Sequence, residues 1–222
     1  MPPSSIGPLY CETPTGPFSF PAEPVNFFTN AAIVIFAILA FWTLRKFQSR
    51  AYDAYLLAAL LLLTGLGSFL WHGFRTQTAL ILDVVPGVLF LLVFIYAWAR
   101  RVWGTYGGAA GLIGFFGLTY IGTLVSGVVE RRGPPVSVVW ATVFFGILLF
   151  VLSLRKYGRF AWLSILSVIV AVIAFIFRTA DLYICELIPF GTHFLWHIFL
   201  SGAAYIAILF LAAADDSVKG AK

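Results

Sequence analysis

Three histidines have the residue type and spacing to form a metal site in this chain. His193 and His197 are four residues apart, so on a helix they lie one above the other on a single face. His72, the only other histidine among the 222 residues, ends an earlier apolar stretch. Three neutral imidazoles that leave one position open form a ligand set of catalytic zinc. The sequence therefore predicts that helices bring these three side chains together around zinc.

Two further polar side chains could complete a reaction site with the histidines. Asp83 is the only acidic residue inside the long apolar stretches, where an ionisable group is costly unless it has a partner. We expect it to act as a general base or to orient a water molecule. Ser68 precedes His72 by four residues, and we expect its hydroxyl to donate a hydrogen bond to a developing oxyanion. Ser68 also follows two glycines, so a helix-packing role is the alternative.

The composition predicts an integral membrane protein. Hydrophobic residues make up 61% of the chain and charged residues only 10%, and the mean hydropathy is +0.99. Soluble domains contain about 25% charged residues, so the chain is too apolar for that class. Seven apolar stretches reach the roughly 20 residues that a membrane crossing needs. They cover residues 25–44, 54–74, 79–99, 107–129, 136–154, 160–177 and 192–213.

The expected fold class is therefore all-α. We expect a single polytopic domain over residues 1–222, folded as a bundle of seven transmembrane helices. The first twenty residues are rich in proline and polar side chains and lack the pattern of a cleavable signal peptide.

The basic residues predict the orientation of this bundle, because cytoplasmic loops are enriched in lysine and arginine. Ten of the fourteen basic residues fall on one side of the predicted topology. These are Arg45, Lys46, Arg50, Arg100, Arg101, Arg155, Lys156, Arg159, Lys219 and Lys222; the other side has Arg75, Arg131, Arg132 and Arg178. We therefore expect the N-terminus outside and the C-terminus in the cytoplasm. The expected location is a bacterial inner membrane, or an ER or Golgi membrane in a eukaryote.

Both cysteines, Cys11 and Cys185, fall on the predicted outer side of the membrane. That side is oxidising in a bacterial periplasm or an ER-type lumen, so a disulfide between them is one interpretation. Two unrelated free thiols are the alternative.

Several of these residues stand in motifs that resemble the alkaline ceramidases. The motifs are Gly-x-Gly-Ser-x-x-x-His over residues 65–72, Leu82-Asp83-x-x-Pro86, and His193-Phe-Leu-Trp-His197. Cys11-Glu12 and residues 22–26 are similar to the N-terminal segment of that family. The pattern also resembles the wider seven-helix hydrolase superfamily, which includes adiponectin-type receptors.

The resemblance implies a zinc-dependent lipid amide hydrolase within the membrane. The three histidines would bind zinc, with Ser68 and Asp83 at the active site. The substrate would be a ceramide-like N-acyl lipid, which hydrolysis converts into a sphingoid base and a fatty acid. The resemblance also suggests that Cys11 pairs with Cys185.

Alkaline ceramidases also hold calcium with an acidic, Asn-containing N-terminal loop. In this chain Leu9 and Pro14 stand where the family has Asp and Asn, and this departure makes calcium doubtful. Other carboxylates remain that could contribute oxygen ligands. They are Glu12 and Glu23, with Asp181 and Glu186 from the last outer loop.

The main alternative to an enzyme is a receptor or structural membrane protein that keeps zinc in the same ligand pattern. The absence of a sizeable soluble domain favours the enzyme. A haem protein is disfavoured, because histidines four apart on one helix cannot both be axial ligands of one haem. The positive charge is spread over short loops, so no nucleic-acid partner is expected. The expected partners are the bilayer and a lipid substrate, and the oligomeric state is left open.

Overall fold

The computed structural model describes residues 6–126 and 136–219. Within these ranges it contains seven α-helices and no β-strand. The helices are α1 (Pro24–Lys46), α2 (Tyr52–Phe74), α3 (Gln77–Trp103), α4 (Gly107–Ser126), α5 (Val136–Tyr157), α6 (Ala161–Ala180) and α7 (His193–Lys219). Short 3₁₀ turns follow α5 at Gly158–Phe160 and α6 at Asp181–Tyr183.

Six helical segments of the described chain are long and apolar enough to cross a membrane. One of them, Val136–Tyr183, is 48 residues long and contains both α5 and α6. The prediction of an all-α, multi-pass integral membrane protein is confirmed. Seven crossings and the orientation of the termini stay predictions.

The helices extend beyond several of the predicted spans. α3 continues to Trp103 and so includes Arg100 and Arg101, and α7 continues to Lys219. Hydropathy marks only the apolar part of a helix, whereas backbone hydrogen bonding continues into polar turns. The predicted span 107–129 ends outside the described residues, where Arg131, Arg132 and Lys222 also fall.

The helices form a closed ring in which α7 lies between α6 and α1 and also reaches helices across the ring. Each helix packs against its neighbours in sequence, α1 also packs against α7, and α7 contacts α2, α3 and α5. The apolar core surrounds the second half of α7, where Ile208, Phe210 and Leu211 have no exposed surface. Ala37 and Ala40 of α1 are also fully buried. Such small residues let helix backbones approach closely, so α1 can lie directly against its neighbours.

An ion-pair network around the buried Arg101 ties the helices together at the end of the bundle away from the histidines. The Arg101 guanidinium donates to both oxygens of Asp53 at 2.6 and 2.9 Å, and to both oxygens of Asp215 at 2.9 Å. Lys156 and Tyr157 donate to the Arg101 carbonyl. Bidentate pairing of a guanidinium is strong and directional. The network therefore fixes the relative positions of α2, α3, α5 and α7.

The first half of α3 is much less covered than its second half. None of residues 80–93 is buried, whereas six residues between Phe94 and Arg101 are. Asp83 lies in the less covered half and is partly exposed. That half of α3 therefore leaves side chains accessible from the surroundings of the bundle.

We predict that reporter fusions will place the C-terminus in the cytoplasm. A reporter active only in the cytoplasm should be active when fused after Lys222, and also when the chain is truncated and fused after Gln48 or Gly104. The physical reason is the concentration of basic residues at those three places. A fusion after Thr76 is the control, and there the cytoplasmic reporter should be inactive. An active export-dependent reporter at the C-terminus would contradict the orientation.

Candidate active site

The three histidines meet between the end of α2 and the start of α7. Their ligand nitrogens all lie within 4.8 Å of one another. None of the three residues is more than 3% exposed. The ring centroids are 4.6 Å apart for His193 and His197, 4.9 Å for His72 and His197, and 5.2 Å for His72 and His193. The structure thus brings the predicted ligands together, and metal binding by them stays a prediction.

Asp181 determines where α7 begins and therefore where two of the histidines lie. Its Oδ1 accepts hydrogen bonds from the backbone N–H groups of Thr192 at 2.7 Å and His193 at 2.9 Å. The first amides of a helix have no acceptor within the helix, and a carboxylate is favourable there. Gly191 precedes them at φ 63°, and a Cβ on it would lie 2.0 Å from Asp181 Oδ1. Only glycine permits this approach.

Hydrogen bonds to Nδ1 orient two of the three imidazoles. His72 Nδ1 bonds to the Glu23 carboxylate, and His197 Nδ1 lies 3.0 Å from the Thr29 hydroxyl oxygen. The Thr29 hydroxyl also lies within 3.0 Å of two backbone carbonyls of α1, to which it can donate. The Thr29 hydroxyl oxygen can then accept a hydrogen bond from His197 Nδ1. Protonation of both rings at Nδ1 leaves Nε2 of each ring to bind a metal.

Glu23 connects His72 to the N-terminal segment and to the end of α2. Its carboxylate accepts from the Thr13 hydroxyl at 2.8 Å and lies 3.2 Å from the Arg75 guanidinium. Glu23 has no exposed surface. Burial raises the pKa of the Glu23 carboxyl to about 7, while the Arg75 charge acts in the opposite direction. A buried carboxyl with several partners of this kind holds the His72 ring in place.

Ser68 and Asp83 lie beside each other on α2 and α3, and Ser68 is one helical turn before His72. The Ser68 hydroxyl faces the Asp83 carboxyl. Gly67 makes this approach possible, because a Cβ on it would lie 2.1 Å from the Leu82 carbonyl oxygen. The structure therefore places Ser68 and Asp83 side by side, one helical turn of α2 from His72, and their roles in a reaction stay predictions.

Glu12 has a structural role at the start of α1. Its two oxygens accept from the backbone N–H groups of Val25 at 2.9 Å and Asn26 at 2.8 Å. Glu12 and Glu23 are the predicted calcium ligands, and in the structure the carboxyl oxygens of both have hydrogen-bond partners within the protein. The Asp181 carboxylate likewise accepts hydrogen bonds from backbone N–H groups, and Glu186 is exposed. Calcium stays a prediction.

The predicted disulfide between Cys11 and Cys185 is confirmed. The sulfur atoms are 2.09 Å apart and the Cα atoms 5.3 Å apart. Beside the disulfide, Asp181 Oδ2 accepts a hydrogen bond from the Cys11 backbone N–H at 3.1 Å. The bond therefore fastens the N-terminal segment to the loop that leads into α7.

Sequence reasoning missed the residues that support the histidines. Thr29, Arg75 and Tyr10 were not among the predicted site residues, and Glu23 was considered only for calcium. One signal was available for α1: Asn26, Thr29 and Asn30 are polar residues within an apolar span. Asn26 and Asn30 are fully buried. Tyr10 and Arg75 have no comparable local pattern.

Comparison with known protein families agrees with this geometry. The model of the family described as Ceramidase matches residues 7–222 of the chain. The chain belongs to the ceramidase family. No curated protein matches the chain.

Membership of the family supports the prediction of an enzyme. The protein is a hydrolase that acts on the amide bond of ceramide. Its substrate is accordingly a lipid, which suits a multi-pass membrane protein.

We predict that Gly67→Ala will destabilise the protein and impair hydrolysis. The added methyl would meet the Leu82 backbone and force α2 away from α3, at a typical cost of about 1–3 kcal/mol. The measurements are the thermal unfolding temperature in detergent and the rate of ceramide hydrolysis. Gly87→Ala is the matched control, since its Cβ would make an ordinary contact of 3.7 Å with Thr64. Equal behaviour of the two variants would contradict the role of Gly67.

Proposed function

We propose that the protein is a zinc-dependent ceramidase whose reaction takes place within the membrane. Zinc would be held by His72, His193 and His197. The observation that carries this proposal is the meeting of three buried imidazoles, with ligand atoms within 4.8 Å, beside Asp83 and Ser68. The products would be a sphingoid base and a fatty acid.

The donor set suits zinc. Three imidazole nitrogens without a fourth protein ligand are typical of catalytic zinc sites. The Nδ1 partners of His72 and His197 leave Nε2 of each ring for the metal, and the Glu23 carboxylate makes the His72 ring more basic. Zinc bound here would supply a water molecule of lowered pKa and would polarise the amide carbonyl.

Asp83 is the residue to which we assign proton transfer. Its carboxylate would take a proton from the attacking water and deliver it to the leaving amine nitrogen as the C–N bond breaks. General acid–base catalysis of this kind typically contributes about 10²–10⁴-fold. Asp83 is suited to the role because it lies beside Ser68, one helical turn of α2 from His72, and is partly exposed.

Ser68 is the residue to which we assign stabilisation of the oxyanion. Its side chain is 2% exposed and one helical turn before His72. The hydroxyl would donate a hydrogen bond to the carbonyl oxygen as negative charge develops there. The surrounding apolar helices keep the local dielectric constant low, which strengthens this interaction.

The substrate would reach the site from the bilayer along the first half of α3. None of residues 80–93 is buried, and Asp83 lies among them. The long apolar chains of a ceramide-like lipid can remain against this face while the amide reaches the carboxylate. Lateral access of this kind avoids moving a water-insoluble substrate through an aqueous route.

We predict that His197→Ala will abolish stoichiometric zinc binding. The purified wild type should contain about one zinc per chain, because three imidazoles converge on one point. Metal analysis of both proteins is the measurement. Ser201→Ala is the matched control: Ser201 is buried one turn further along α7 and bonds to carbonyls of its own helix. Full zinc content in His197→Ala would refute the ligand assignment.

We predict that Asp83→Asn will retain zinc yet hydrolyse ceramide about 10²–10⁴-fold more slowly, since it keeps the shape and loses the base. Ser68→Ala should be slower by roughly 10²–10³-fold, the loss typical of removing one oxyanion donor. The assay is fatty-acid release from N-acyl sphingoid lipids, with N-acyl ethanolamines compared as an alternative substrate class.

Ser164→Ala is the control for these two variants, because Ser164 is fully buried in α6 and donates to the Ala161 carbonyl. It should hydrolyse ceramide at the wild-type rate. Equal rates for wild type and Asp83→Asn would remove Asp83 from the mechanism.

A further inference from the structure

His193 differs from the other two histidines in how its ring is held. His72 and His197 each have a hydrogen-bond partner at Nδ1. The Nδ1 atom of His193 is buried and has no hydrogen-bond partner among the described residues. His193 is nevertheless only 3% exposed. Some other contact must therefore set the direction of this imidazole.

The ring of Tyr10 lies flat against the His193 imidazole. The ring centroids are 4.0 Å apart and the planes differ by 24°. Tyr10 is 7% exposed, and its ring is also 5.2 Å from the His72 ring at a tilt of 50°. A stacked neighbour resists rotation of the imidazole out of its plane. Since both ring nitrogens lie in that plane, the contact directs whichever nitrogen binds a metal.

Tyr10 is itself fixed, although it belongs to a segment without regular secondary structure. The Arg178 guanidinium lies 4.6 Å from the centre of its ring and the Arg75 guanidinium 5.7 Å. A cation over an aromatic face is attracted to it. The Trp71 indole N–H donates to the Tyr10 hydroxyl at 3.3 Å.

The backbone on both sides of Tyr10 is also held. The Arg75 guanidinium donates to the carbonyls of Ile6 and Pro8, each at 3.0 Å. Arg178 donates to the Leu9 carbonyl at 3.3 Å. The disulfide then fixes Cys11, the next residue. A ring supported in this way is rigid enough to position another ring.

We propose that Tyr10 is the positioning residue for His193, and that it orients this ligand by stacking where Glu23 and Thr29 orient the other two by hydrogen bonds. The inference rests on the proposed function, because it takes His193 to be a zinc ligand. It assigns the role to the flat ring of Tyr10 and not to its hydroxyl, which is engaged by Trp71.

The test compares Tyr10→Phe, which keeps the ring, with Tyr10→Met, which fills a similar volume without a planar face. The readouts are zinc affinity, by competition with a chelator, and the visible absorption spectrum of the cobalt-substituted protein, which reports ligand geometry. Tyr10→Phe should match the wild type in both. Tyr10→Met should bind zinc about 10- to 100-fold more weakly, the usual loss when the support of a ligand is removed, and should have an altered cobalt spectrum.

Tyr183→Met is the matched control, because Tyr183 lies in the 3₁₀ turn after α6 and is 66% exposed. It should behave as the wild type. The loss in Tyr10→Met should also persist in a Thr29→Val background, because Thr29 supports a different ring. The helix content and the thermal unfolding temperature of the metal-free protein separate loss of orientation from general loss of folding, since an unfolded variant would lose its helices as well as its zinc affinity.

Two results would overturn the inference alone: wild-type affinity and spectrum in Tyr10→Met, or equal losses in Tyr10→Phe and Tyr10→Met. A wild type that binds neither zinc nor cobalt would overturn the proposed function and this inference together. The two failures are therefore distinguishable.

Discussion

The buried carboxylate of Asp181 is the contact on which the geometry of the site most depends. It has no exposed surface, and it accepts hydrogen bonds from Thr192, His193 and Cys11. The first two bonds satisfy amides at the start of α7, which would otherwise lack acceptors in apolar surroundings. The third holds the N-terminal segment. One side chain therefore aligns the helix that carries two histidines with the segment that carries Tyr10.

The two ends of the bundle differ in whether every carboxylate has an ion-pair partner. Arg101 is shared by Asp53 and Asp215, so each charge there has a direct partner, and the result is a structural tie. Near the histidines, Glu23 is likewise paired with Arg75. Asp83 has no ion-pair partner within the described part of the chain and lies beside a hydroxyl instead. A carboxylate that is not neutralised by a fixed cation remains available to exchange protons, which is the property that the role proposed for Asp83 requires.

The central residues of the site could be predicted from the sequence, because each belongs to a local pattern. His193 and His197 have helical spacing, and Asp83 is a rare charge in an apolar span. Their supports could not be predicted, since they depend on contacts between distant segments. Tyr10 and Trp71 are 61 residues apart, and Thr29 and His197 are 168 apart. The helix ends could not be predicted for a different reason: the apolar residues end before the backbone hydrogen bonds of the helix do.

Arg75 pairs with Glu23, one of the two carboxylates predicted to bind calcium. The predicted calcium ligands of the N-terminal segment are the carboxylate oxygens of Glu12 and Glu23. Glu12 already accepts two amides of α1, and Glu23 already faces a guanidinium at 3.2 Å. Arg75 also donates to two carbonyls of the same segment. A cation that belongs to the chain thus neutralises Glu23 and fastens the segment, so a calcium ion that used the Glu23 carboxylate would compete with Arg75 and would be repelled by a second buried cation, Arg178.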